Sequence, residues 1–299
     1  MGPVDLVRVG LVGGGPWAAG VHAPSITAHP ATELTGVWTR RPEQADELAA
    51  AFRTTSYPGV DALIADVDVV AFAVPPRIQG ELAVRAAGAG RHLVLEKPVA
   101  ATVEEARAVA DAVRAAGVRS SVVLTLRHAP DVQQWLAGMP SAPPGSDTVG
   151  SARWLSGALL GGPYAASPWR AEEGALLDVG PHLVDLLDAA LGPVTGVGWA
   201  RYDEPDLWRF GLEHAGGALS TVTTSLRLPV DPSETEFTVF GGAGRHRLPG
   251  RVWDARESYA RLLDEMVAAV RGEGAAPALD AARGLRLQEI LAEVRALAL

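Results

Sequence analysis

Residues 7–20 read VRVGLVGGGPWAAG, and this stretch decides the fold. Its first six residues are apolar almost without alternation, as in a strand buried on both faces. A glycine-rich turn follows, then small residues suited to a helix. Gly13, Gly15 and Ala18 stand in G-x-G-x-x-A spacing, the dinucleotide fingerprint with Ala in its third place. Each position has a mechanical reason. Gly13 permits the tight turn, Gly15 lets backbone approach a pyrophosphate, and a small residue at 18 lets helix and strand pack closely. Pro16 and Trp17 open the helix, whose N-terminal N–H groups face an anion. The motif is weak alone. Its place directly after a first strand is the confirming context.

Working outward, strand-like runs recur at ELTGVW (33–38), VDVVAFAV (67–74), HLVLE (92–96) and SSVVLTL (120–126). Helix-like stretches lie between them at 42–52, 79–90 and 103–117. The last has Thr102 and Glu105 in capping-box spacing and Gly117 as its stop. Strand–helix alternation predicts a doubly wound parallel sheet over residues 1–125. Residues 126–299 change texture. Helices are expected at 129–137, 174–191, 254–271 and 280–298. Strands are expected at 151–158, 194–202, 207–214, 218–226 and 234–241, with a Gly216–Gly217 hairpin turn. Consecutive strands without intervening helices predict an antiparallel sheet, so the second domain reads as α+β.

The end of the second strand indicates which nucleotide. NAD-binding units usually carry Asp or Glu there, holding the ribose 2′-hydroxyl. Here the strand ends in Thr39, Arg40 and Arg41, and Glu33 stands at its wrong end. A hydroxyl and two guanidiniums suit a 2′-phosphate. The expectation is NADP, with NAD as the alternative.

Lys97 is the only lysine in the chain; every other basic side chain of this class is Arg. Arg stays protonated, whereas Lys can lose a proton when burial or a nearby cation lowers its pKa. Lys97 ends the fourth main strand, at the edge where open α/β sheets bind ligands, and Pro98 keeps it out of helical geometry. The second constellation is Asp178, His182 and Asp185 within GALLDVGPHLVDLLDAALG (174–192). On one continuous helix they would share a face, although Pro181 marks a bend or a late start. His carries protons near pH 7 and a carboxylate can orient it. A capping Asp with a satisfied His fits the same spacing. No further ligand cluster accompanies them, so no metal site is expected.

Composition narrows the classes. The 299 residues carry a formal net charge of −9, which argues against nucleic-acid or anionic-membrane partners. There is no Cys, so disulfide and thiolate chemistry are excluded. No apolar run approaches the roughly 18–20 residues of a membrane span. The start lacks the pattern of a signal peptide, and a cytoplasmic protein is expected.

With these residues assembled, the chain resembles the Gfo/Idh/MocA family of NAD(P)-dependent oxidoreductases. The resemblance is carried by VGLVGGGPWAAGVHAPSI, by AVPPRIQGELAVRAAGAGRHLVLEKPVA and by SPWRAEEGALLDVGPHLVDLLDAALG, and runs nearly end to end. It implies an N-terminal Rossmann domain and a C-terminal α+β domain with a large open antiparallel sheet. It implies hydride transfer between NAD(P)(H) and an alcohol or carbonyl carbon of a sugar, polyol or related small molecule. The family's catalytic lysine, aspartate and histidine fall on Lys97, Asp178 and His182. Its cofactor positions fall also on Val74, Pro75, Pro76, Gln79 and Glu96, and substrate contacts on Arg127, Trp169 and Arg170, with Tyr164 a weaker choice. A cis Lys97–Pro98 bond and a homodimer or homotetramer are implied too. Two departures stand out. Gln79 replaces a frequent His, and Glu172, Glu173 and Gly174 replace a glycine run. Rival readings are a catalytically silent nucleotide-binding regulator, an NAD-assisted glycosidase and a reductase of imines or other non-sugar groups.

Overall fold

The computed structural model describes residues 5–139, 145, 147–161, 165, 167–242, 244–248, 250 and 254–299. Two compact units form, one from Met1–His128 with Asp254–Arg286, the other from Ala129–Trp253 with Leu287–Leu299.

In the first unit, strands β1 (Val7–Val12), β2 (Thr32–Trp38), β3 (Thr55–Ser56), β4 (Val69–Phe72), β5 (His92–Leu95) and β6 (Ser120–Val122) make one sheet. Its order is β3-β2-β1-β4-β5-β6 and every pair is parallel. This is the doubly wound order whose chain reversal, between β1 and β4, opens the ligand crevice at the strands' carboxyl ends. Helices α1 (Ala23–Ala28), α2 (Pro42–Phe52), α3 (Val60–Asp66), α4 (Pro76–Gly88) and α5 (Val103–Ala116) connect the strands. The capping box at Thr102 and Glu105 is formed, and Gly117 ends α5 in the left-handed conformation, because both ends follow local side-chain chemistry. The strand expected to run to 126 stops at Val122, and α6 (Thr125–His128) follows.

Helix α7 (Pro130–Ala137), strand β7 (Val149–Leu155), helices α8 (Pro168–Asp178) and α9 (Gly180–Leu191), and strands β8 (Val194–Asp203), β9 (Leu207–His214), β10 (Leu219–Ser225), β11 (Glu234–Gly241) and β12 (Gly244–Leu248) build the second unit. Its sheet runs β12-β11-β7-β10-β9-β8. All neighbours are antiparallel except β7 and β10, which pair in parallel. Helix α9 covers β7 and β10, with Leu183, Val184, Leu186 and Leu187 buried.

The chain closes with α10 (Ala255–Val270) and α11 (Ala281–Ala298). A single second domain over 126–299 does not describe this arrangement. Tyr259, Leu262, Leu263, Met266 and Val267 of α10 share a core with Val7, Val9, Leu11 and Ile26, so burial of that apolar stripe assigns α10 to the first unit.

The helix expected over 174–191 is also broken. Gly174 has φ 60° and ψ −156°, Val179 separates Asp178 from Gly180, and Pro181 sits in the first turn of α9. Asp178 and His182 therefore lie on different helices rather than on one face.

Candidate active site and nucleotide turn

The glycine turn leaves β1 through Gly13, whose N–H donates to the Trp38 carbonyl at 2.9 Å. Gly13 has φ +124°, and a Cβ there would stand 2.3 Å from the Ala73 carbonyl oxygen. Only glycine fits. At Gly15 no protein atom lies within 4 Å of the place a Cβ would take, so its backbone is approachable. A helix starts at Pro16 and points its N-terminal N–H groups at the turn. Ala18 is fully buried against the sheet. Residues Ala18–His22 form a π-helical turn, with the Ala23 N–H bonded to the Ala18 carbonyl. These features fit a dinucleotide pyrophosphate.

At the end of β2, Arg40 and Arg41 are exposed. Thr39 is buried, and its hydroxyl donates to the Arg41 carbonyl while accepting from the Arg41 N–H. That hydroxyl shapes the loop, which leaves the phosphate-binding expectation to the arginines. Gln44 ties the loops together, donating from Nε2 to the Gly14 carbonyl at 2.8 Å and accepting from Arg41. Val74 is half-buried beside Gly13, and Pro75 and Pro76 open α4.

Lys97 is half-buried directly after β5, and its bond to Pro98 is cis. Gln79 is fully buried. Its Oε1 accepts from the Glu96 N–H at 2.9 Å, and its Nε2 donates to the carbonyls of Glu96 at 2.7 Å and Val99 at 2.8 Å. Expected as a cofactor contact, Gln79 instead braces the Glu-Lys-Pro corner from beneath, since a side chain with no exposed surface cannot touch a ligand.

Glu96 is the hub of a network that sequence reading missed. Its Oε1 accepts from Trp17 Nε1 at 2.7 Å and lies 2.8 Å from His22 Nε2. The other His22 nitrogen lies 2.9 Å from the Tyr259 hydroxyl. Complete burial, and secondarily the Glu96 charge, push the Tyr259 phenol well above its ordinary range. The sequence offered one signal for His22, its place in the fingerprint helix. Tyr259 lies too far along the chain to be paired with it by pattern.

The second unit holds most of the remaining residues. Asp178 ends α8 with its Oδ2 3.2 Å from Arg170 Nε. The Arg170 guanidinium stands 5.2 Å from the Trp169 ring centroid. His182 is nearly buried, its ring stacked 6.1 Å from that of Trp154. Asp206, unsuspected from sequence, holds the break in α8. It accepts from the Ala175 N–H at 3.0 Å and the Leu226 N–H at 2.9 Å. A Cβ at Gly174 would strike its carboxylate at 2.3 Å. Burial raises the Asp206 pKa above 3.8 against the pull of these hydrogen bonds. Arg127 is half-buried in α6 of the first unit, and Tyr164 lies outside the described residues. Among the described residues, no group of three or more His, Asp or Glu could hold a metal ion, and no helix is long and apolar enough to cross a membrane.

Comparison with known proteins agrees with the fold of the first unit. Residues 7–124 match the sequence profile of GFO_IDH_MocA, the oxidoreductase family with an NAD-binding Rossmann fold. Over residues 7–124 the chain is similar to the NAD-binding domain of the Gfo/Idh/MocA family. Among its relatives, dTDP-3,4-didehydro-2,6-dideoxy-alpha-D-glucose 3-reductase of Streptomyces violaceoruber is 30% identical over 196 residues, covering 63% of this chain and 56% of that protein. D-glucoside 3-dehydrogenase of Escherichia coli is 31% identical over 190 residues, 62% and 54% of the two chains. The chain thus spans little more than half the length of these relatives. The WlbA dehydrogenase of Bordetella pertussis, solved with NADH and UDP-GlcNAcA, shares the fold at 22% identity, with a TM-score of 0.82 over 98% of this chain and 96% of that one.

Proposed function

We propose that this chain is an NAD(P)-dependent oxidoreductase that interconverts an alcohol and a carbonyl on a sugar, polyol or related small molecule. Carbon 3 of a hexopyranose is the first choice, since the two relatives above are named for chemistry at position 3. The observation that carries the reading is the strained Gly13 turn, with Lys97 at the carboxyl edge of the same parallel sheet.

When bound, the nicotinamide supplies or takes the hydride. The protein's residues handle the proton. Lys97 accepts the substrate hydroxyl proton in oxidation and returns it in reduction. His182 is the second proton carrier, and Asp178, held by Arg170, orients polar groups of the substrate. Trp169, Arg170 and Arg127 are the proposed sugar contacts. The 2′-phosphate of NADP is assigned to Arg40 and Arg41, which are exposed at the end of a strand without the usual acidic residue.

The sheet face of the second unit is proposed as a subunit contact. Phe240 stands opposite Val149, and Val149 opposite Leu219, in one row across β11, β7 and β10. All three are exposed, as is Trp199 on β8. A row of this kind fits a homodimer or homotetramer.

Calorimetry with NADH and NADPH, followed by oxidation assays on hexoses and hexosides, tests the reading. NADPH is expected to bind about tenfold more tightly, roughly 1.4 kcal/mol, and equal affinities would remove the NADP assignment. Lys97→Arg keeps charge but blocks proton release, so turnover should fall by about 10²-fold or more while nucleotide affinity survives. Turnover unchanged in that variant would overturn the role given to Lys97.

A further inference from the structure

We propose that the chain Tyr259–His22–Glu96, with Trp17, transmits nucleotide occupancy at the glycine turn to Lys97, with His22 as its positioning residue. The inference rests on the nucleotide-binding reading above.

Two donors from one helix converge on one oxygen. Trp17 and His22 both meet Glu96 Oε1, at 2.7 Å and 2.8 Å. Trp17 is the second residue of the helix that opens at Pro16, and His22 closes its π-helical turn. Such turns add a residue to the helix and commonly mark functional positions. This one places His22, fully buried, against a carboxylate that is itself 14% exposed.

The hydrogen bonds have a consistent direction. Indole nitrogen only donates, so Oε1 accepts from Trp17, and an ionised Glu96 requires the proton on His22 Nε2 as well. In the neutral ring Nδ1 then accepts, and the buried phenol of Tyr259 donates to it. Both ring nitrogens are engaged, so the imidazole cannot turn or change tautomer without losing a bond. A largely desolvated carboxylate stripped of its donors is strongly disfavoured. A shift of the helix start therefore carries Glu96 with it.

The other end of the chain is equally fixed. Gln79 holds the Glu96 backbone through its N–H and carbonyl, and Lys97 is the next residue. The pyrophosphate turn and Lys97 are thus linked within the first unit by the hydrogen bonds that hold Glu96 and by the peptide bond that follows it. Spatial continuity becomes coupling only if one end responds to the other.

The single lysine makes the response measurable. Protein grown with ¹³C-lysine gives one lysine Cε resonance, that of Lys97. ADP is the probe, because it carries a diphosphate but neither the nicotinamide nor its ribose. Saturating ADP is expected to shift the Lys97 resonance in the wild type. His22→Phe should bind ADP within about threefold of wild type yet lose the shift. His22→Gln, which keeps an N–H for Glu96, should recover most of it, and Tyr259→Phe should reduce it. If His22→Phe does not fold, the Gln and Tyr259→Phe variants decide alone. A resonance that stays still in the wild type at calorimetric saturation overturns the inference, as does an undiminished shift in both His22→Phe and Tyr259→Phe. Failure of ADP, NADH and NADPH all to bind would instead remove the nucleotide-binding reading, and this inference with it.

Discussion

Gln79 and Glu96 exchange a pair of hydrogen bonds, with the Glu96 N–H donating to Oε1 at 2.9 Å and Nε2 donating to the Glu96 carbonyl at 2.7 Å. A buried side chain here does the work of a neighbouring strand, and it continues the pairing of β5 beyond Leu95. Gln79→Leu conserves bulk but orphans the Glu96 N–H and the carbonyls it satisfied. Buried polar groups left so cost about 1–3 kcal/mol each. Urea unfolding should show a loss of about 2–4 kcal/mol, with turnover falling as the Lys97 corner loosens. Wild-type stability in this variant would show that solvent reaches the corner and satisfies it.

The two fingerprint glycines should separate cleanly on substitution. Gly13→Ala places a Cβ 2.3 Å from the Ala73 carbonyl oxygen at φ +124°, so it should lower stability by several kcal/mol or abolish folding. Gly15→Ala meets no protein atom within 4 Å. It should melt within a degree or two of wild type, yet weaken NADH binding by about tenfold or more, because the methyl occupies the pyrophosphate's approach. Thermal melts and calorimetry on the two variants check this. Equal nucleotide affinity in Gly15→Ala would refute the role given to that backbone.

These contrasts bear on what could be read from sequence. The parallel, doubly wound class of the first sheet, the fingerprint, the capping box at Thr102 and the place of Lys97 all follow from local pattern: apolar runs, spacing and cap chemistry. The structural roles of Gln79, His22, Tyr259 and Asp206 were illegible for one shared reason. Each gets its role from a partner distant in sequence, such as Tyr259 for His22 and Leu226 for Asp206. Pro181 signalled the late start of α9, but the break at Gly174 was hidden because the carboxylate that holds it, Asp206, lies far along the chain. Strand β12 was missed because GRHRL is nearly all polar and lies at the sheet edge, where no burial pattern is imposed.

The exposed row Phe240–Val149–Leu219 gives a prediction about assembly. If it is a subunit contact, Leu219→Glu places a charge at one end of that row, beside Val149, and should dissociate the oligomer. Light scattering at micromolar concentration should then read a smaller species than wild type, with nucleotide affinity unchanged. A wild-type monomer of 31.1 kDa would overturn the proposal at once. The face is also charged at its other end, where Arg153 pairs with Glu234 and Glu236. That end alone contributes little apolar burial, so Arg153→Ala should alter assembly much less than Leu219→Glu.

His214 sets a pH dependence of stability. It is buried, with Nδ1 2.7 Å from the Gly192 carbonyl and Nε2 2.9 Å from the Ser220 hydroxyl. A carbonyl only accepts, so Nδ1 carries the proton and Nε2 accepts from Ser220, which a neutral ring satisfies completely. Burial holds its pKa below 6.5, against the opposing pull of Gly192 and Asp188. His92 is shifted in the same direction by burial and by Arg119. The sign follows from proton uptake. Between the folded pKa and about 6.5 the unfolded chain binds more protons, so stability rises with pH there. The contribution is complete above about pH 6.5 and is lost as pH falls through the folded value. Wild type should therefore melt at a lower temperature near pH 5.5 than near pH 7.5, before carboxylates with ordinary pKa values protonate. Replacing His214 with Gln should shrink that difference, while lowering stability at both pH values through the altered bonds. A His214→Gln variant with the full wild-type pH dependence would place the effect elsewhere, first on His92, where His92→Gln repeats the test.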